Sequence, residues 1–199
     1  MRIISTILIS VATFFTLNAF IPTAKEVEIY DSCVRLHVIA NSDSKKDQEL
    51  KLKVRDKLLE YVSGYEAKDK KEALILLERD KEIMTSLAKE ELEKNGSYDS
   101  VKIEIGLESY PTRSYEDFSL PAGEYTSVRV IIGEGKGQNW WCVLYPPLCT
   151  SSAIKYDDEA YIDVGLTKDQ YSLITGTSGN YKVKFRILEL ATQMANKYD

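Results

Sequence analysis

The chain has 199 residues, enough for one globular domain with an appendage or two small domains. Hydrophobic residues make up 44% and charged residues 29%, which excludes disorder of the whole chain. The 26 basic and 31 acidic side chains give a formal net charge of -5, a sign that does not attract phosphate backbones, so nucleic acid is not an expected partner.

Met1-Arg2 carries one positive charge, and Ile3 to Phe20 then runs without any. A short basic start before a long apolar run is what export machinery reads. Residues 1–24 are therefore expected to be a signal peptide or a membrane anchor, with cleavage and retention both open, and membrane association is expected only through them. Residues 25–150 are expected to form one α+β domain. Residues 151–199 are expected to be a C-terminal extension packing on it.

Cys33, Val34, Leu36, Val38 and Ile39 mark a first strand. Asn41-Ser42-Asp43-Ser44 breaks it, since these residues bond their own backbone and favour turns and caps. Ser44 with Asp47 three residues on resembles a capping box. Leu50, Val54, Leu58, Tyr61, Val62 and Tyr65 then follow at helical spacing, and Gly64 marks the end of the helix. A second helical stretch runs from Ala73 to Leu92 and stops at Asn95-Gly96, with a break at Glu78 to Lys81 left open. From Val101 the apolar period becomes two, which is the signature of a half-buried strand. Tyr110 to Gly123 reads as a loop bounded by prolines. Thr126 to Gly133 and Asn139 to Tyr145 are strands, and Gly133 to Gly137 between them reads as a hairpin loop. The fold class is thus α+β: the N-terminal signal or anchor helix, then a mainly antiparallel sheet covered on one face by helices. The first strand is a candidate for a parallel partner.

Little in this sequence points to catalysis. His37 is the one histidine. A Ser-His-Asp site with Ser42 or Ser44 and Asp43 or Asp47 lacks the strand-turn-helix setting such a nucleophile needs. No CxxC or HxxxH occurs, so no metal is expected and no cofactor is called for. Asp157, Asp158, Glu159 and Asp163 do not match an EF-hand and read as a solvated acidic surface. Cys142 and Cys149 flank Pro146-Pro147, so outside the cytoplasm they could close a disulfide; the alternative is two free buried thiols. Trp140 and Trp141 must point to opposite faces of a strand. One enters the core and the other meets a second layer or a partner.

Two segments carry a resemblance. Arg35 to Tyr61, RLHVIANSDSKKDQELKLKVRDKLLEY, resembles the opening of the stage II sporulation protein R family of endospore-forming bacteria. Tyr110 to Cys149, ending NWWCVLYPPLC, resembles its second half. The resemblance implies an exported intercellular signal, not an enzyme. It would be exported across the forespore membrane into the space between the two membranes. There it would meet a membrane-embedded aspartic-type protease that processes the sigma-E precursor. No small-molecule substrate is implied. Residues expected to contact that partner are Asn41, Ser42, Asp43, Trp140, Trp141, Pro146 and Pro147. They could equally be fold determinants: an N-cap and a packed corner. The alternatives are a secreted cell-envelope hydrolase and a structural envelope protein.

Overall fold

The computed structural model of the chain describes residues 2–19, 29–115, 118–148, 167, 170 and 174–175. The elements in chain order are α1 (Arg2–Ala19), β1 (Val34–Ile39), α2 (Lys45–Val62), α3 (Lys70–Arg79), α4 (Lys81–Lys94), β2 (Val101–Tyr110), β3 (Arg113–Ser114), β4 (Ser119–Leu120), β5 (Gly123–Ile132) and β6 (Asn139–Tyr145). The chain divides into two compact units, one of Tyr30–Ser109 with Glu124–Lys168, the other of Met1–Ile29, Tyr110–Gly123 and Asp169–Asp199.

The first unit holds the sheet, in the order β2-β5-β1-β6. β1 pairs with β5 in parallel, Val34 opposite Thr126 through Ile39 opposite Ile131. It pairs with β6 antiparallel, from Val34 opposite Tyr145 to Ile39 opposite Asn139, with an irregularity between Val34 and Arg35. The parallel partner expected for the first strand is therefore β5. A parallel pair needs a long crossover, and α2, α3, α4 and β2 lie between the two strands in sequence.

One face of this sheet carries the core. Val34, Leu36 and Val38 of β1, Val128, Val130 and Ile132 of β5, and Val101 and Ile103 of β2 form one cluster with Leu50, Val54 and Leu58 of α2, Leu77 of α3, and Met84, Ala88 and Leu92 of α4. The period of two in the strands and of three to four in the helices puts these residues on the shared interface. The α+β class and the helical cover on one face are as the sequence pattern predicts.

The helix ends follow their chemistry. Ser44 caps α2, its Oγ accepting from Asp47 N at 3.1 Å. The reciprocal half of the expected capping box does not form, because Asp47 Oδ2 takes the Ser42 hydroxyl at 2.5 Å. Asp69 caps α3 by accepting from Glu72 N. The break left open in the second helical stretch falls at Asp80. Gly96, at φ 71°, ends α4, and Ser97 N reaches back to Leu92 O at 3.0 Å. This is the left-handed stop that Asn-Gly foretells.

Two expectations need correction. Gly133 to Gly137 is not a hairpin turn, because β5 and β6 are not neighbours: β1 lies between them. Periodicity cannot tell a hairpin from a connection that steps over one strand. Tyr110 to Gly123 is not all loop either, since β3 and β4 pair there, Arg113 with Leu120 and Ser114 with Ser119. That unit also contains α1, on which Ile3, Ile4, Ile7, Ile9 and Val11 are exposed. Among the described residues no helix is long and apolar enough to cross a membrane.

Candidate partner-binding surface

β1 and β5 run in parallel, so both end at the same edge of the sheet, where the chain leaves in different directions. β1 turns through Asn41–Ser44 into α2. β5 continues into the glycine loop, which crosses the end of β1 to reach β6. Asn41 ties the two together. Its Oδ1 accepts from Glu134 N at 2.9 Å, its backbone oxygen accepts from Lys136 N at 3.1 Å, and its Nδ2 donates to Asp47 Oδ2 at 3.2 Å. Asp43 Oδ1 accepts from Gln138 N at 2.8 Å. Lys51, a buried side chain of α2, donates to Gln138 O at 2.9 Å. The loop needs its glycines: a Cβ on Gly133 would stand 2.2 Å from Asn41 Oδ1, and one on Gly137 2.3 Å from Ser42 O. Asn41, Ser42 and Asp43 are thus fold determinants as well as surface residues.

Hydrogen bonds from Ser42, first, and from Asn41 and Ser44 keep the Asp47 carboxyl below its ordinary value. Asp47 sits in the first turn of α2, where a carboxylate also complements the helix dipole.

The two tryptophans separate as alternation requires. Trp140 packs against the helix-side core, with the Arg55 guanidinium 4.7 Å above its ring. Trp141 stands opposite His37 on the other face, the two rings 5.5 Å apart. His37 Nδ1 lies 2.7 Å from Glu108 Oε1 and Nε2 lies 2.8 Å from Asn139 Oδ1. Neither partner is a serine or a cysteine, and Ser42, Ser44, Asp43 and Asp47 are engaged in the turn and cap instead. Beside this pair Arg129 meets Glu104. Lys102, first, and Arg129 draw the Glu104 carboxyl down to about 2.

Pro146 and Pro147 lie at the far end of β6. Tyr145-Pro146 is a cis peptide; Pro146 is buried and Pro147 exposed. Pro147 lines a cleft of about 320 Å³ with Val62, Ala67, Leu77 and Leu144. Seven residues of β6 separate this cleft from Asn41–Asp43, about 20 Å at strand rise. The structure therefore brings Asn41, Ser42 and Asp43 together, and places Pro146 and Pro147 at the opposite edge of the sheet. Cys142 is buried; Cys149 lies outside the described residues. Cys33 is free and buried one residue before β1.

The sequence pattern did not single out Tyr98, Glu108 or Asn139. Tyr98 directly follows the α4 stop and is 87% exposed. With Asn41, Ser42, Asp99, Gly133 and Glu134 it lines an open pocket of about 670 Å³ at the end of the parallel strands. An Asn-Gly stop reads only as punctuation, and nothing local says that the next aromatic will stand clear of the core.

Comparison with known proteins bears on the whole arrangement. The model of the family described as stage II sporulation protein R matches residues 30–155. The chain is 35% identical over 157 residues to Stage II sporulation protein R of Bacillus subtilis (strain 168), covering 72% of this chain and 70% of that relative. No solved structure matches the chain.

Proposed function

Because the chain belongs to the stage II sporulation protein R family, we propose that it is an exported sporulation signal that activates a membrane-bound aspartic-type protease and so leads to processing of the sigma-E precursor. The observation that carries this reading is the family match, which covers the helix-backed sheet from β1 to β6. The uncharged run from Ile3 to Phe20 supports export across the forespore membrane into the intermembrane space, as a secreted or a membrane-anchored protein. In that oxidising compartment Cys142 pairs with Cys149. The protein acts as a ligand and not as an enzyme. Binding drives the protease toward its active arrangement only through a difference in affinity for the two arrangements.

The test is reconstitution in a non-sporulating cell. This chain, the protease and the sigma-factor precursor are expressed together, and cleavage is followed as each is left out. Cleavage that requires both the chain and the protease is the expected result. Equal cleavage without the chain would overturn the reading.

A further inference from the structure

We propose that the pocket around Tyr98 is where this protein receives a basic side chain, Lys or Arg, from an extracytoplasmic segment of its membrane partner. The inference rests on the signalling reading above and names the surface that carries it.

The site lies outside the carboxyl ends of the parallel strands β1 and β5, where their connections diverge. It is also held rigid. Asn41 and Asp43 pin the backbone of Glu134 and Gln138. Gly133 N donates to Ser100 O at 2.7 Å, which joins the glycine loop to the loop that carries Tyr98. Ser97 Oγ donates to Asp99 Oδ2 at 2.6 Å and fixes the neighbouring carboxylate. A surface ordered before binding loses little entropy when a partner docks.

From this rigid base Tyr98 projects with 87% of its surface exposed, more than any other large hydrophobic residue among those described. Exposed tyrosine on an ordered loop is typical of binding anchors, because it offers a large contact area for two rotatable angles. The chemistry around it selects the partner's charge. Asp99 and Glu134 line the same pocket, and Asp47 is bonded to both Ser42 and Asn41 of its wall. The start of α2 is the place where a phosphate would otherwise be drawn, but Asp47 already occupies its first turn. An aromatic face flanked by carboxylates suits a cation instead. Lys136 also lines the pocket, 2.8 Å from Glu134. Both side chains are largely exposed, so this pair is weak and yields to a better-placed cation.

The test uses the full chain in the reconstituted cleavage system, with expression limiting, and compares Tyr98→Phe, Tyr98→Ala, Tyr98→Lys and Lys136→Gln. Thermal melts of the purified proteins accompany it. Exposure predicts that all four melt with the wild type. Tyr98→Phe keeps the ring and stays within about twofold in cleavage rate. Tyr98→Ala falls about tenfold, the effect of losing an interface anchor, and Tyr98→Lys falls further. Lys136→Gln is neutral or faster. If wild type drives cleavage and Tyr98→Ala and Tyr98→Lys do so equally, the pocket is not the contact and the signalling reading stands. If Lys136→Gln is slow and Tyr98→Lys is fast, the partner's group is anionic and the inference is overturned. If wild type itself drives no cleavage, the signalling reading fails and the inference falls with it. A variant that melts early is replaced by Glu134→Gln, which removes charge from the same pocket and is expected to slow cleavage.

Discussion

Asn41 satisfies three groups at once: the backbone amides of Glu134 and Lys136 in the glycine loop, and the carboxylate of the α2 first turn. Replacing its side chain leaves Glu134 N and one Asp47 lone pair unpaired, and each lost bond costs about 1 kcal/mol. Asn41→Ala is expected to lower stability by about 1–2 kcal/mol, read as a lower urea midpoint at unchanged slope. Gly133→Ala attacks the same junction from the other side. Gly133 has φ 57°, and its new Cβ would collide with Asn41 Oδ1, so this variant is expected to be the less stable of the two. Cys33 gives a separate test. Burial pushes its thiol up to about 11, so it stays protonated at pH 8 and presents no thiolate to an alkylating reagent. The folded protein is expected to protect Cys33 and the urea-unfolded protein to expose it. Rapid labelling of Cys33 in the native state would contradict the packing before β1. The direction of the shift also sets a pH effect: the contribution is complete below about pH 9 and is lost as pH rises toward 11.

At the scale of elements, the junction of α3 and α4 turns on Asp80. Its buried carboxylate accepts from Arg79 Nε and Nη2 at 2.7 and 2.8 Å and from the Tyr65 and Tyr61 hydroxyls at 2.9 and 3.1 Å. Arg79, first, and the two tyrosines hold the carboxyl well below the usual carboxylate range. Burial and the nearby Asp80 carboxylate push the Tyr65 hydroxyl up. A depressed carboxyl contributes stability that is complete above its unfolded value, about 4, and is lost as pH falls below it. The melting temperature of wild type is therefore expected to drop steeply below about pH 4. Asp80→Asn is expected to melt lower at pH 7 and to show a flatter acid limb. Parallel acid limbs for the two proteins would remove Asp80 from the junction. One other element, α2, offers two calibrated checks. Ser44→Ala removes the α2 cap and is expected to cost about 1 kcal/mol. Leu58→Ala opens the core under α2, where Leu58 is 2% exposed, and is expected to cost about 2–5 kcal/mol.

These elements also show what the sequence could disclose. Ser44, Gly96 and the alternation after Val101 are local signals, with caps and periods contained in a few residues, and each marks a boundary found in the structure. Asp80 does not advertise itself, because its value lies in Tyr61 and Tyr65 one helix earlier. The glycine loop misleads for a topological reason: the strand inserted between β5 and β6 comes from the start of the chain.

For the whole molecule the same limit applies to the surface. His37 meets Glu108 and Asn139 across separations of 71 and 102 residues, so no motif around His37 could name its partners. Trp140 and Trp141 could be assigned to opposite faces from alternation alone, but only the sheet order shows that Trp141 shares its face with His37. Tyr98 joins Asn41 and Glu134 in one pocket only because the parallel pair brings three loops to one edge. The family resemblance was legible in NWWCVLYPPLC and in the strand-turn-helix opening, since both are contiguous. The partner surface was not, since it is assembled from three separate loops.

Under the proposed function, signalling to the membrane protease requires export through residues 1–24. The most direct measurement is precursor cleavage in a non-sporulating cell that carries the protease and the precursor, comparing the full chain with one lacking residues 1–24. Cleavage with the full chain and none with the shortened one, both folded and equally abundant, is the predicted result. Equal cleavage by the two, or none with a full chain shown to be exported, would contradict it.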